Sequence, residues 1–332
     1  MLITLEKLVK IVSVSGHEKK LTEFISSEIS PYVDSLRTDA LGNLIATKKS
    51  ANPDAKKVMF AAHADEIGFL ATFIDDKGYI RVAPVGGIDW IASAFTTVTF
   101  ENGTKGVLAA EANTKPEEYK QGKFYIDIGA SSKEEAEKLV RIGDTAAITP
   151  YIEKFSTNCI CGRPMDDKIA CALLIEAIKQ VKDSPYELYF VFSSQEEVGL
   201  RGSATASFGI APDVGYAIDV TDTGDVPGSK PMAVSLGKGA AIKVKDSSVI
   251  CDTAIVDKMC DLAEKKGIKY QLEILEYGGT DTASIQLAGS GAAVGAISVP
   301  TRYVHTACET IDLNDLDNCL RLITALCTEP GL

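Results

Sequence analysis

Apolar residues recur at helical spacing at Leu5, Leu8 and Ile11, and again at Leu21, Phe24 and Ile25. The chain is therefore expected to open with two helices broken at Ser15-Gly16. Strand-like runs follow at Ser35–Thr38 and 43–47, joined by a turn at Leu41-Gly42, and a third at 57–62 leads directly into His63. From residue 67 to about 148 the texture changes to short β-like runs at 69–74, 79–85, 96–100 and 105–109, most bounded by Gly or Asn, with one helix near 132–140. This stretch reads as a small β-rich insertion. After Gly162 helices and strands alternate: Ile169, Leu173, Ala177 and Val181 share a helix face, and 188–192 is a buried strand. The alternation continues through a strand at 215–218, a helix at 253–265, strands at 271–275 and 293–298, and a final helix at 313–327. The expected fold class is α/β.

Composition narrows the functions open to such a chain. Its 332 residues, 45% of them hydrophobic, can bury a sizeable core. A net charge of −12, from 34 Lys+Arg against 46 Asp+Glu, repels phosphate backbones and anionic lipid, so no nucleic acid and no membrane partner is expected. Glu6, Lys7 and Lys10 interrupt the apolar start as no standard signal peptide would, and apolar runs elsewhere are too short to span a bilayer. The 8 cysteines form no CxxC pair and read as reduced core residues of a cytoplasmic protein.

Metal-binding and proton-handling side chains gather at or near the ends of expected elements, where an open α/β sheet normally builds its site. His63 and Asp65, two apart in an extended segment, point the same way, so Asp65 can take the second ring N–H of His63. Asp166-Asp167 stands where a loop gives way to a helix, and Glu196-Glu197 follows a buried strand. Asp219 ends the apolar run 216–218, and His305 lies just past the strand at 293–298. Each has an ordinary reading alone: a chance acidic neighbour for His63, a helix cap for the Asp pair, a solvated loop for the Glu pair, a turn acid for Asp219 and a surface residue for His305. Yet the chain has only 3 histidines, and His63 and His305 both follow strands. Two His and three carboxylates suit a pair of borderline-hard ions such as Zn²⁺ or Co²⁺.

Taken in order, Ser15-Gly16-His17-Glu18, His63-Ala64-Asp65-Glu66-Ile67-Gly68, Val85-Gly86-Gly87, Gly162-Arg163 with Asp166-Asp167, Glu196-Glu197-Val198-Gly199, Gly278-Gly279-Thr280-Asp281 and Arg302-Tyr303 with His305-Thr306 form a specific series. The series resembles the glutamyl and deblocking aminopeptidases that form tetrahedral particles, some of which carry the name cellulase M. The resemblance implies a mixed-sheet α/β/α exopeptidase-like catalytic domain from residues 1–66 and 160–332, with a small β-rich, PDZ-like domain at 67–159 inserted for dimer contacts. It implies that Asp166 bridges two divalent metal ions, with His63 and Asp219 on one and Glu197 and His305 on the other. Glu196 becomes the general base, Asp65 orients His63, and the Asp166–Asp167 peptide is a candidate cis bond. Family members assemble into hollow dodecamers, so a homo-oligomer is expected. Ala170 and Ala307 depart from the Gly and Pro common at those positions.

The expected activity is removal of N-terminal residues from short peptides. A carboxypeptidase or amide deacylase could run on the same metal pair, since the pocket fixes the substrate. A glycosidase would need two carboxylates flanking a sugar bond without histidine ligands, and a noncatalytic scaffold would not need the complete ligand set.

Overall fold

The computed structural model describes residues 1–331. Two hydrophobic clusters organise it, one around the large sheet and one inside a small barrel. The eleven-stranded sheet runs in the order Ser35–Thr38, Leu44–Lys48, Glu187–Ser193, Lys57–His63, Val214–Thr221, Ala293–Arg302, Glu309–Asp312, Cys159–Arg163, Tyr151–Lys154. Ala240–Lys245 and Tyr270–Ile274 branch from it beside Ala293–Arg302. The four strands from Glu187–Ser193 to Ala293–Arg302 are mutually parallel, which explains their near-continuous apolar runs: both faces are covered. Gly215 faces Ile285 closely enough to exclude a side chain, while Tyr216 points to the other face and stacks on Phe60 at 5.1 Å. Helix Thr282–Gln286 thus covers one face, and helices Lys168–Gln180 and Leu313–Thr328 pack on the opposite one. This is the mixed α/β architecture expected.

The β-rich stretch closes into an antiparallel barrel of Gly68–Ile74, Ile80–Val85, Phe124–Asp127, Lys105–Ala110, Thr97–Phe100 and Thr145–Ile148. Closure leaves no free edge, and Phe69, Phe100, Phe124 and Leu108 fill the interior. The barrel strands end at Ile148; Tyr151–Lys154 already pairs with Cys159–Arg163 in the large sheet. The helix expected at 132–140 is shorter, Lys133–Ala136, but its buried pair Ala136 and Val140 remains linked by a 2.9 Å backbone hydrogen bond.

Some expectations need correction. A short loop, 164–167, does lead into the helix at Asp166-Asp167, but the strand Cys159–Arg163 ahead of it was not expected, because Gly162 and the charged Arg163 interrupt the pattern, although Arg163 is buried. All eight cysteines are free thiols, but Cys308 is exposed, because it lies in the turn after His305. Among the described residues, no helix is long and apolar enough to cross a membrane.

Candidate metal centre

Parallel register delivers the functional side chains to one edge of the sheet. His63 ends its strand opposite Ser193, so the Gln195-Glu196-Glu197 loop leaves the sheet beside it. Asp219 pairs with Ser298 in the next two strands, His305 follows Arg302, and Asp166 lies between the strand Cys159–Arg163 and helix Lys168–Gln180.

The structure brings His63, Asp166, Glu197, Asp219 and His305 together. Asp166 lies between the histidines: Oδ1 is 3.0 Å from His63 Nε2 and Oδ2 is 3.1 Å from His305 Nε2. Asp219 Oδ1 stands 3.8 Å from His63 Nε2, and Glu197 Oε2 3.3 Å from His305 Nε2. Glu196 lines the same cavity. The ligand atoms of His63, Asp167 and Asp219 lie within 4.8 Å of one another, as do those of His63, Asp166 and Glu197.

The carboxylates Asp166, Glu196, Glu197 and Asp219 are buried against two imidazoles. Burial pushes the Asp219, Glu196 and Glu197 carboxyls up, with neighbouring carboxylates adding to the effect. Burial opposes the Asp166 charge too, but His305 and His63 outweigh it and hold its carboxyl well below the usual range. His305, although burial disfavours its cation, is pushed up to about 11 by Asp166 and Glu197. Glu197 Oε1 is buried and, among the described residues, has no hydrogen-bond partner. An acid-rich pocket with an orphaned carboxylate oxygen needs added positive charge, and its imidazole and carboxylate donors fit divalent cations.

A second layer of carboxylates positions the backbone. Asp65 was expected to take the His63 ring N–H; the nearer partner of Nδ1 is the Asp65 carbonyl at 3.0 Å, with the carboxylate at 3.6 Å. That carboxylate instead accepts the N–H groups of Glu196 and Glu197 at 2.9 and 3.1 Å and the Ser15 hydroxyl at 2.6 Å. Asp167 caps helix Lys168–Gln180 through Ala170 N–H and accepts His63 N–H at 3.2 Å, combining the capping role with support of the site. The Asp166–Asp167 peptide is cis.

Sequence reasoning missed Glu309. Its carboxylate accepts the backbone N–H groups of Met165 at 2.6 Å, Asp166 at 3.2 Å and His305 at 3.0 Å while pairing with buried Arg163 at 2.5 Å. The available signal was an acid starting the short run Thr310-Ile311, four residues past His305. The barrel also reaches the site. At Gly86, with φ +77°, a Cβ would come within 2.6 Å of Ile67 and 3.2 Å of Glu197; at Gly87 it would stand 3.3 Å from His305 Nδ1. Gln195, Leu200, Tyr303 and His305 all hold positive φ, strain concentrated in the loops that present the site.

This arrangement has close relatives. A putative aminopeptidase of Acetivibrio thermocellus is 46% identical over 97% of both chains. The lysyl aminopeptidase of Pyrococcus furiosus is 33% identical over 98% of this chain and 96% of its own. The solved TET1 peptidase of Pyrococcus horikoshii, which can assemble into a tetrahedron or a large octahedral shell, superposes with a TM-score of 0.88 at 34% identity over 99% of each chain. The family description M42 glutamyl aminopeptidase matches residues 42–322. The chain belongs to the M42 glutamyl aminopeptidase family and is an aminopeptidase.

Proposed function

We propose that the chain removes N-terminal residues from short peptides using two divalent cations, Zn²⁺ or Co²⁺, with Glu196 as general base. The observation that carries this reading is the sharing of Asp166, one carboxylate oxygen toward His63 and the other toward His305. In the proposed assignment Asp166 bridges, His63 and Asp219 hold one cation, and Glu197 and His305 hold the other. Such a pair supplies Lewis acidity and lowers the pKa of water. Glu196 takes a proton from the attacking water and passes it to the leaving amine. Asp65 fixes the Glu196 backbone, and Glu309 fixes those of Asp166 and His305.

We further assign the large sheet and its helices to catalysis, and the barrel within the segment 67–159 to dimer contacts in a homo-oligomer, with a dodecamer as its closed form. Ile91 and Phe95, each 63% exposed, supply apolar surface on that segment. Free thiols suit the cytoplasm.

The test is hydrolysis of aminoacyl-p-nitroanilides by protein stripped with chelator and resupplied with Zn²⁺, Co²⁺ or Mn²⁺. Activity lost on stripping, regained with metal and confined to free-amine substrates supports the reading. Turnover only of N-blocked substrates would favour a carboxypeptidase or deacylase.

A further inference from the structure

The cavity at the metal centre, about 500 Å³ in volume, runs from Asp219 along Val220-Thr221-Asp222 to a wall made by Ser247, Leu275 and Tyr277. Beyond the residues assigned above to the cations and to proton transfer, the ionisable groups on its wall are the Asp222 carboxylate and the Tyr277 phenol. Among the described residues, no lysine or arginine lines it. An adjoining cavity, which shares Asp222 and Tyr277 with this one, holds two basic groups, each engaged there. Lys230 stands 5.5 Å from the centre of the Tyr277 ring, and Arg302 is held by Asp225 at 2.8 Å. Burial pushes the Asp222 carboxyl above its ordinary value, against a hydrogen bond from the Tyr277 hydroxyl and the nearby His305, which favour its ionised form.

We propose that Asp222 selects the N-terminal side chain of the substrate, so that the cavity takes a basic residue, lysine or arginine, in preference to an acidic one. The inference rests on the aminopeptidase reading and names the substrate class of that site. A lysine or arginine head group makes a charge-assisted hydrogen bond to Asp222 while its methylene stem lies along Leu275 and Val220. A glutamate or aspartate side chain would meet Asp222 on a partly desolvated wall that carries no lysine or arginine, a like-charge contact that rejects it. A leucine side chain fits the apolar wall but leaves Asp222 without a cationic partner.

The experiment compares kcat/KM for Lys-, Arg-, Leu- and Glu-p-nitroanilides with metal-loaded enzyme and its Asp222→Asn variant, after equal metal content is established. The parent enzyme is expected to favour Lys and Arg over Glu by roughly tenfold or more, and Asp222→Asn to reduce the Lys-to-Leu ratio by about the same factor. As a readout independent of turnover, L-lysinamide should raise the Tm of the parent enzyme more than that of the variant. A preference for Glu, or a Lys-to-Glu ratio near one alongside good turnover of Leu, overturns this proposal alone. A Lys-to-Leu ratio unchanged by Asp222→Asn does the same. Silence on every free-amine substrate overturns the aminopeptidase reading and this inference with it.

Discussion

Asp65 and Glu196 are joined through the backbone: the Asp65 carboxylate accepts the Glu196 N–H at 2.9 Å, and the neighbouring Glu197 N–H at 3.1 Å. Two side chains central to the proposed site are thus aimed by one buried charge. Asp65→Asn keeps a similar shape but replaces one accepting oxygen with a donor. The expected result is a metal affinity weaker by about 10–100-fold, the usual cost of losing a supporting partner. Competition with a calibrated chelator measures it, and unchanged affinity would show that the loop holds its place without Asp65.

Glu196→Gln retains the shape of the side chain and removes its basicity. Turnover should fall by roughly 10²–10⁴ while metal content stays at the parent level. Near-normal kcat would mean that another group takes the proton.

Stripping the metals should lower stability, because Asp166, Glu197 and Asp219 then repel one another in a buried space. Refilling should raise Tm with cation concentration, by an amount equivalent to about 2.7 kcal/mol when the free ion is at 100 times its Kd. Calorimetry across a metal titration checks this; a Tm indifferent to both chelator and metal would argue against cations at this site.

Glu309→Gln tests the second supporting carboxylate. It leaves the Arg163 guanidinium buried without its charge partner, a change that typically costs about 3–5 kcal/mol. The variant should unfold at distinctly lower urea, and should also bind metal more weakly, because Asp166 and His305 lose a common anchor. Parent-like urea and metal titrations would contradict both roles.

The Asp225–Arg302 pair predicts a pH dependence. The hydrogen bonds from Arg302 hold the Asp225 carboxyl well below its ordinary value. A depressed folded-state pKa contributes stability above the unfolded value of about 3.9 and loses it as pH falls toward the folded value. The pair is partly exposed, so Asp225→Asn should cost only about 1 kcal/mol near neutrality. The difference between parent and variant should stay level down to about pH 5 and shrink below it, as read from urea midpoints. A difference that grows on acidification would reverse the sign of this argument.

The most legible parts of the fold were the long apolar runs. The run Met59-Phe60-Ala61-Ala62 announced a strand and the segment Phe190-Val191-Phe192 a buried one, and each led to a residue now found at the candidate metal centre. Buried charge hid some elements, though not the strand expected at 271–275, which carries buried Glu273. Ala240–Lys245 contains Lys243, buried by pairing with Glu273 and with Asp246 at 3.5 Å, and local hydrophobicity cannot register a neutralisation supplied thirty residues away. Glu309 was missed for the same reason: its partner Arg163 lies 146 residues earlier in the chain. The ligand candidates could be found because the resemblance carried their order. The backbone supports could not, because a carboxylate that accepts N–H groups from another loop leaves no local pattern. Ala170 and Ala307 occupy ordinary settings, one donating its N–H to the helix-capping Asp167 and the other packed against the barrel core.

The Gly86-Gly87 turn makes the inserted barrel a third point of support for the site. The chain passes between sheet and barrel only near Ile67 and near Thr149, a geometry that by itself would permit a hinge. With Gly86 seated against Ile67 and Glu197, and Gly87 against His305, tilting the barrel would press backbone into two of the five candidate ligands or draw it away from them. Repacking deep in the barrel, around Phe69 or Val82, would therefore be felt at the candidate ligands Glu197 and His305, although neither Phe69 nor Val82 belongs to the sheet that carries them.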